Sequence, residues 1–205
     1  MVLALLACAG TAWAEDGYAL WMRYVPVEAT TASEYRDHAR EIVAPDQTPT
    51  QRAAREELER GLSGLLGVAP PLRTALGHGG AIVLGTPQSS PWVAPFRRDL
   101  QALGEQGYLL RSARVEGRDA IVVAAGDDVG VLYGVFHLLR LMQTGASLDG
   151  LEVRESPAIA RRVLNHWDDL DGYVERGYAG GSLWDWHTLP DWQDPRYTDY
   201  ARANA

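Results

Sequence analysis

Cysteine is all but missing from this chain, with Cys8 the single one in 205 residues. Once the leader described below is removed, none remains, which excludes disulfides and thiolate chemistry. Low-complexity tracts are absent, and no apolar run approaches the roughly 20 residues that a membrane span needs. There is no Walker loop, no GxGxxG after a strand, no GxSxG elbow and no HExxH. The glycines at 177, 180 and 181 lack the strand-turn-helix setting that phosphate binding requires. An excess of cations is also missing: the net charge is −8, which argues against nucleic acid as a main partner. An acidic small substrate stays open, because one local arginine can dominate a pocket that the overall field disfavours.

The chain is 46% hydrophobic, enough for one good core or for one domain plus part of another. Its first fourteen residues, MVLALLACAGTAWA, are uncharged and end in the small-x-small triplet Ala12-Trp13-Ala14. This reads as a signal peptide over 1–14 that lacks the usual basic start, so export to the periplasm or medium is expected. Lipid anchoring at Cys8 is the lesser alternative, since the apolar run before it is very short.

Beyond the leader, residues 17–27 read as extended, rich in aromatic and β-branched residues as far as Pro26. Thr48-Pro49-Thr50-Gln51 opens a helix with a cap, a proline at the first position and a capping-box glutamine. Leu58, Leu62, Leu65 and Leu66 form its apolar face, and Gly67 ends it. Residues 81–84 predict a buried strand, and 107–115 with 119–125 a hairpin turning at Glu116-Gly117-Arg118. Asp127-Asp128 can cap the next helix, in which Gly130 and Gly134 lie one turn apart, a pair expected to let helix pack closely on sheet. An α+β domain over 15–150 follows, with a linker over 151–160. Residues 161–165 then read as a new strand, and Asp194-Pro195 as a helix start. One strand, one loop and one helix cannot bury themselves, so 161–205 is expected to begin a larger α/β domain and to stay unprotected alone.

The loop between them, NHWDDLDGYVERGYAGGSLWDW, crowds tryptophans, acids and glycines. Aromatic faces suit the apolar edges of sugar rings, and Arg176 offers a fork for a substrate carboxylate. Bland readings compete. Trp184 and Trp186 suit packing at the loop's return, and Glu175-Arg176 a surface ion pair of small weight. His166 suits a hydrogen-bonded structural role. Asp168, Asp169 and Asp171 suggest calcium, but Trp167 and Tyr178 stand where an EF-hand needs oxygen ligands, so no metal is expected.

The same stretch closely resembles the signature that starts the barrel of glycoside hydrolase family 67, the xylan α-glucuronidases. EDGYALWMRY, ELERGLSGLLG and GVLYGVFHLLR extend the likeness over nearly all of the mature chain, with departures at Gly172, Tyr173 and Gly181. The resemblance implies an α+β N-terminal domain followed by the first β/α unit of a (β/α)8 TIM barrel, which this chain leaves incomplete. It implies inverting hydrolysis of the α-1,2 bond between (4-O-methyl)glucuronic acid and xylose in xylooligosaccharides, with no cofactor. Both catalytic carboxylates would lie beyond Ala205, so no catalytic residue falls within the chain. Trp167 would wall the glucuronate pocket, and Glu175 and Arg176 would line or brace it. A homodimer of the full-length enzyme is compatible with the likeness. Two alternatives are a non-catalytic carbohydrate-binding module and the N-terminal region of a hexosaminidase-like glycosidase.

Overall fold

A computed structural model describes residues 15–77 and 79–205. The leader reading and the Cys8 anchor therefore lie outside the described residues. A six-stranded mixed sheet organises the chain, in the order β2-β1-β3-β5-β4-β6. β1 (Glu41–Val43), β2 (Leu72–Arg73), β3 (Ala81–Gly85) and β5 (Arg118–Ala125) run parallel. β4 (Tyr108–Val115) and β6 (Glu152–Glu155) pair antiparallel to close one side. Alternate residues feed two cores, because successive strand side chains point to opposite faces. Ile82, Ile121 and Val123 face one cluster, while Val83, Val122 and Ala124 face the other.

The first cluster is capped by α1 (Ala29–His38), α2 (Pro49–Leu66) and α4 (Asp128–Gln143), and the second by α3 (Arg97–Leu103). The α2 start is as expected: the Thr48 hydroxyl accepts from the Gln51 N–H at 3.1 Å. The Gln51 side chain reaches back to the Gln47 N–H rather than to that of Thr48. Leu58, Leu62, Leu65 and Leu66 are buried, and Gly67 takes the left-handed conformation that ends the helix. Asp127 caps α4 by accepting from the Gly130 N–H at 2.8 Å. The helix is pressed onto the sheet, and a Cβ on Gly134 would meet Val123 Cγ1 at 2.8 Å. At the hairpin both Glu116 and Gly117 have positive φ, the twist that a two-residue turn between strands favours.

Four expectations need correction. Residues 17–27 form turns and irregular chain, not a strand. Tyr24, at φ 46°, packs over Gly64 of α2 instead of pairing in a ladder. Residues 151–160 are not only linker: β6 pairs with β4, tied by the Arg111–Glu152 ion pair. Residues 161–165 form no strand and are exposed, since no described strand pairs with them. Finally, α5 (Pro195–Ala203), started by Asp194 and Pro195, is not left bare but lies against the sheet domain. There its Arg202 grips Glu57 of α2, with Nε–Oε2 2.6 Å and Nη2–Oε1 2.8 Å.

Candidate functional site

Residues 165–192 make a compact loop from short-range bonds rather than from a ladder. Isolated bridges join Asp168 to Val174 and Tyr173 to Gly181. Backbone bonds add Val174 N–H to Gly180 O at 3.0 Å and Ser182 N–H to Gly172 O at 2.8 Å. Glycine at 172, 177 and 180 supplies positive φ at the bends. The Ser182 hydroxyl donates to Asp168 at 2.5 Å and accepts from the Trp184 N–H. Asp171 accepts from the Tyr173 N–H. Asp168 and Asp171 thus hold the loop's shape, and among the described residues no group of three acids, histidines or cysteines is arranged for a metal ion.

The three residues singled out for substrate fall in one part of this loop. The Glu175 N–H donates to the Trp167 carbonyl at 2.7 Å, which brings the two together across the turn. Trp167 is 62% exposed, so its ring is available to a ligand face. Glu175 is half-buried at φ 53°, a left-handed conformation that a side chain rarely adopts. Its carboxylate pushes the Tyr178 phenol upward by hydrogen bonding, with desolvation a smaller cause. Arg176 is exposed and makes no ion pair among the described residues, so the surface pair with Glu175 does not form.

Behind the loop stands an aromatic support that composition alone does not reveal. Trp184 packs on Tyr197 of α5 at 4.8 Å between ring centres. The Tyr197 hydroxyl accepts from the Asp185 N–H at 2.6 Å. His166 has a partner on each nitrogen, Trp184 Nε1 at 3.4 Å from Nδ1 and the Tyr200 hydroxyl at 3.1 Å from Nε2. An indole N–H can only donate, so Nδ1 is the acceptor, and in the neutral ring Nε2–H donates to Tyr200. His166 is thus the hydrogen-bonded structural histidine of the bland reading, and Trp184 is packing. The signal that could have found this support is the aromatic pair Tyr197 and Tyr200, three apart on a capped helix.

An open groove of about 1240 Å³ lies elsewhere, between α4 and residues 155–162, and contains none of Trp167, Glu175 or Arg176. It is lined by Trp21, Tyr133, Phe136, His137, Arg140 and Arg162 among others.

The glycosyl hydrolase family 67 N-terminus matches residues 20–138, and the family 67 middle domain matches residues 141–205. The chain belongs to glycosyl hydrolase family 67. Relatives include the probable alpha-glucuronidase A of Aspergillus oryzae, 29% identical over 197 residues, covering 94% of this chain and 23% of that protein. The alpha-glucuronidase A of Emericella nidulans is 28% identical over 216 residues, covering 100% of this chain and 24% of the relative. For the probable alpha-glucuronidase A of Aspergillus terreus the identity is 31% over 177 residues, covering 83% and 20%. The chain thus spans under a quarter of the length of these relatives. The family boundary falls near the end of α4, so β6 belongs to the stretch matched by the middle domain while pairing in the N-terminal sheet.

Proposed function

We propose that this chain is the amino-terminal part of an exported α-glucuronidase that acts on glucuronic-acid-substituted xylooligosaccharides. The reaction is hydrolysis, with inversion, of the α-1,2 bond between (4-O-methyl)glucuronic acid and xylose. Membership of family 67 and relatives named alpha-glucuronidase over nearly the whole chain support this reading. The observation that carries it at the site is the Glu175–Trp167 backbone bond. It brings the exposed Trp167 next to Glu175 and its chain neighbour Arg176, which makes no ion pair among the described residues, a set that suits a sugar acid.

In the reaction, Trp167 covers the apolar face of the glucuronate ring, and Arg176 holds its carboxylate in a two-pronged contact. Glu175 accepts from a ring hydroxyl or braces the arginine. Inversion needs an acid to protonate the leaving oxygen and a base to activate water from the opposite face, roughly 6.5–9.5 Å away. Both come from a (β/α)8 barrel that 161–205 begins and a downstream segment completes. The 205-residue chain alone therefore binds weakly and turns nothing over. The test is an assay on a 4-O-methylglucuronosyl xylooligosaccharide, with the chain alone and with a protein extended through the downstream segment. Release of the sugar acid by the extended protein only is expected, and no release by either refutes the reading.

A further inference from the structure

Glu57 stands in the middle of α2, in the N-terminal domain, yet is only 3% exposed, the least of any charged residue described. Its carboxylate is fully partnered. Oε1 accepts from the Tyr24 hydroxyl at 2.6 Å and Arg202 Nη2 at 2.8 Å; Oε2 accepts from Arg202 Nε at 2.6 Å and Arg60 Nη1 at 3.0 Å. Of these partners, Arg202 alone comes from beyond the N-terminal domain.

The consequences run outward along α5. A helix of nine residues has little stability of its own, and only Tyr197 of α5 is buried. Among the described residues its other ties to the domain are packing of Ala203, a small side chain, on the first core and the exposed bonds Tyr18 to Asp199 and Trp21 to the Ala203 carbonyl. Such exposed contacts add little. Arg202, itself mostly covered and also bonded to Asp199 at 2.7 Å, is therefore the main anchor. From the other side of α5, Tyr197 holds the Asp185 amide and Tyr200 holds His166. Those two positions bracket the part of the loop that carries Trp167, Glu175 and Arg176.

We infer that Glu57 is a positioning residue for that part of the loop: by clamping Arg202 it seats α5, and Tyr197 and Tyr200 then hold it in place on both sides. The inference that the held loop receives a sugar acid rests on the function proposed above. The clamp itself does not.

The experiment uses the 205-residue chain and reads two signals by NMR, exchange of the Asp185 amide and the position of the Trp184 indole N–H resonance. Glu57→Gln should speed exchange at Asp185 at least about tenfold and move the Trp184 resonance toward that of free tryptophan. Amides of β3 and β5 should keep their protection. Arg202→Met leaves a buried carboxylate short of a partner and can unsettle the domain, so it is paired with Glu57→Gln/Arg202→Met, expected to match Glu57→Gln. Tyr200→Phe should move the Trp184 signal and leave the other ties of α5 intact. Unchanged Asp185 and Trp184 signals in a Glu57→Gln chain with protected β3 and β5 would overturn the clamp, as would an unprotected Asp185 amide in the wild type. In the protein extended through the downstream segment, Glu57→Gln should raise KM for the substituted xylooligosaccharide more than it lowers kcat. NMR signals that move while KM does not would leave the clamp standing and count against the sugar reading of the loop.

Discussion

Gly130 of α4 lies so close to Ala125 at the end of β5 that a Cβ built on the glycine would stand 2.7 Å from the alanine's Cβ. The Gly107 carbonyl would be 2.8 Å away on the other side. Neither neighbour is the far end of a flexible chain, so neither can move aside cheaply. Gly130→Ala should therefore destabilise the domain by roughly 1–3 kcal/mol through overpacking. Over most of that range the cost outweighs the gain of about 1 kcal/mol that alanine offers in a helix. Urea unfolding should show a lower midpoint with an unchanged slope. A midpoint that rises would mean that the helix stands further off the sheet than described.

Acid should unfold the protein in two recognisable stages. His137 is held below its ordinary value of 6.5 first by burial, so the folded state takes up its proton less readily than the unfolded chain. Stability should begin to fall as pH drops below that value. Burial would raise Glu57, but hydrogen bonds from Arg202 and Tyr24, with Arg60 nearby, hold it below its ordinary 4.5. A depressed carboxylate contributes stability that is complete above its unfolded value and is lost as pH falls through the lower folded value. Urea titrations across this range should show a second decline below 4.5 that Glu57→Gln makes smaller. A Glu57→Gln chain with the same low-pH decline would place its origin elsewhere, with Glu152, held down to about 2 chiefly by Arg111, the next to test.

Within the extended protein, Trp167→Ala and Arg176→Ala should each lower kcat/KM at least tenfold, equivalent to about 1.4 kcal/mol. Trp92 is a control from the other core: it packs there and donates to Glu116. Trp92→Ala should cost at least about 1 kcal/mol of stability with little change in turnover. Steady-state kinetics beside urea melts would separate the two. An unaltered kcat/KM in Trp167→Ala would remove that residue from the pocket.

The elements legible in the sequence are those whose ends and faces carry their own chemistry. Thr48-Pro49 and Asp127 mark helix starts, and the spacing of Leu58, Leu62 and Leu65 marks a buried face, so α2 and α4 emerge where they were read. The α1 helix escapes notice because Glu28 makes no side-chain cap and only Ala32 and Tyr35 are buried along it. β1 is three residues long and starts with a buried Glu41 that accepts from the Gly77 N–H, so no alternation announces it. β6 reads as linker because Glu152, Arg154 and Glu155 are exposed; its pairing partner supplies the order. The opposite error at 161–165 has the same cause. Apolar residues there suggested a strand, but strand pairing is a property of neighbours, and none is described for it.

At the site, the resemblance singled out Trp167, Glu175 and Arg176, but the turn that bonds Glu175 to Trp167 depends on the left-handed backbone at Glu175. Side-chain type gave no sign of it. Glu57 was the least legible of all. Within ELERGL it looks like one more surface acid, and its partner Arg202 lies 145 residues away.

The central claim is tested most directly by NMR of the first sugar acid released when the extended protein acts on a 4-O-methylglucuronosyl xylooligosaccharide. Inversion at an α-linked substrate predicts that the β-anomer appears first and that the α-anomer grows in later by mutarotation. The unextended 205-residue chain should release none. Initial release of the α-anomer would contradict inversion, and release by the chain alone would mean that the catalytic carboxylates lie within it, with Glu175 and Asp168 the first to replace.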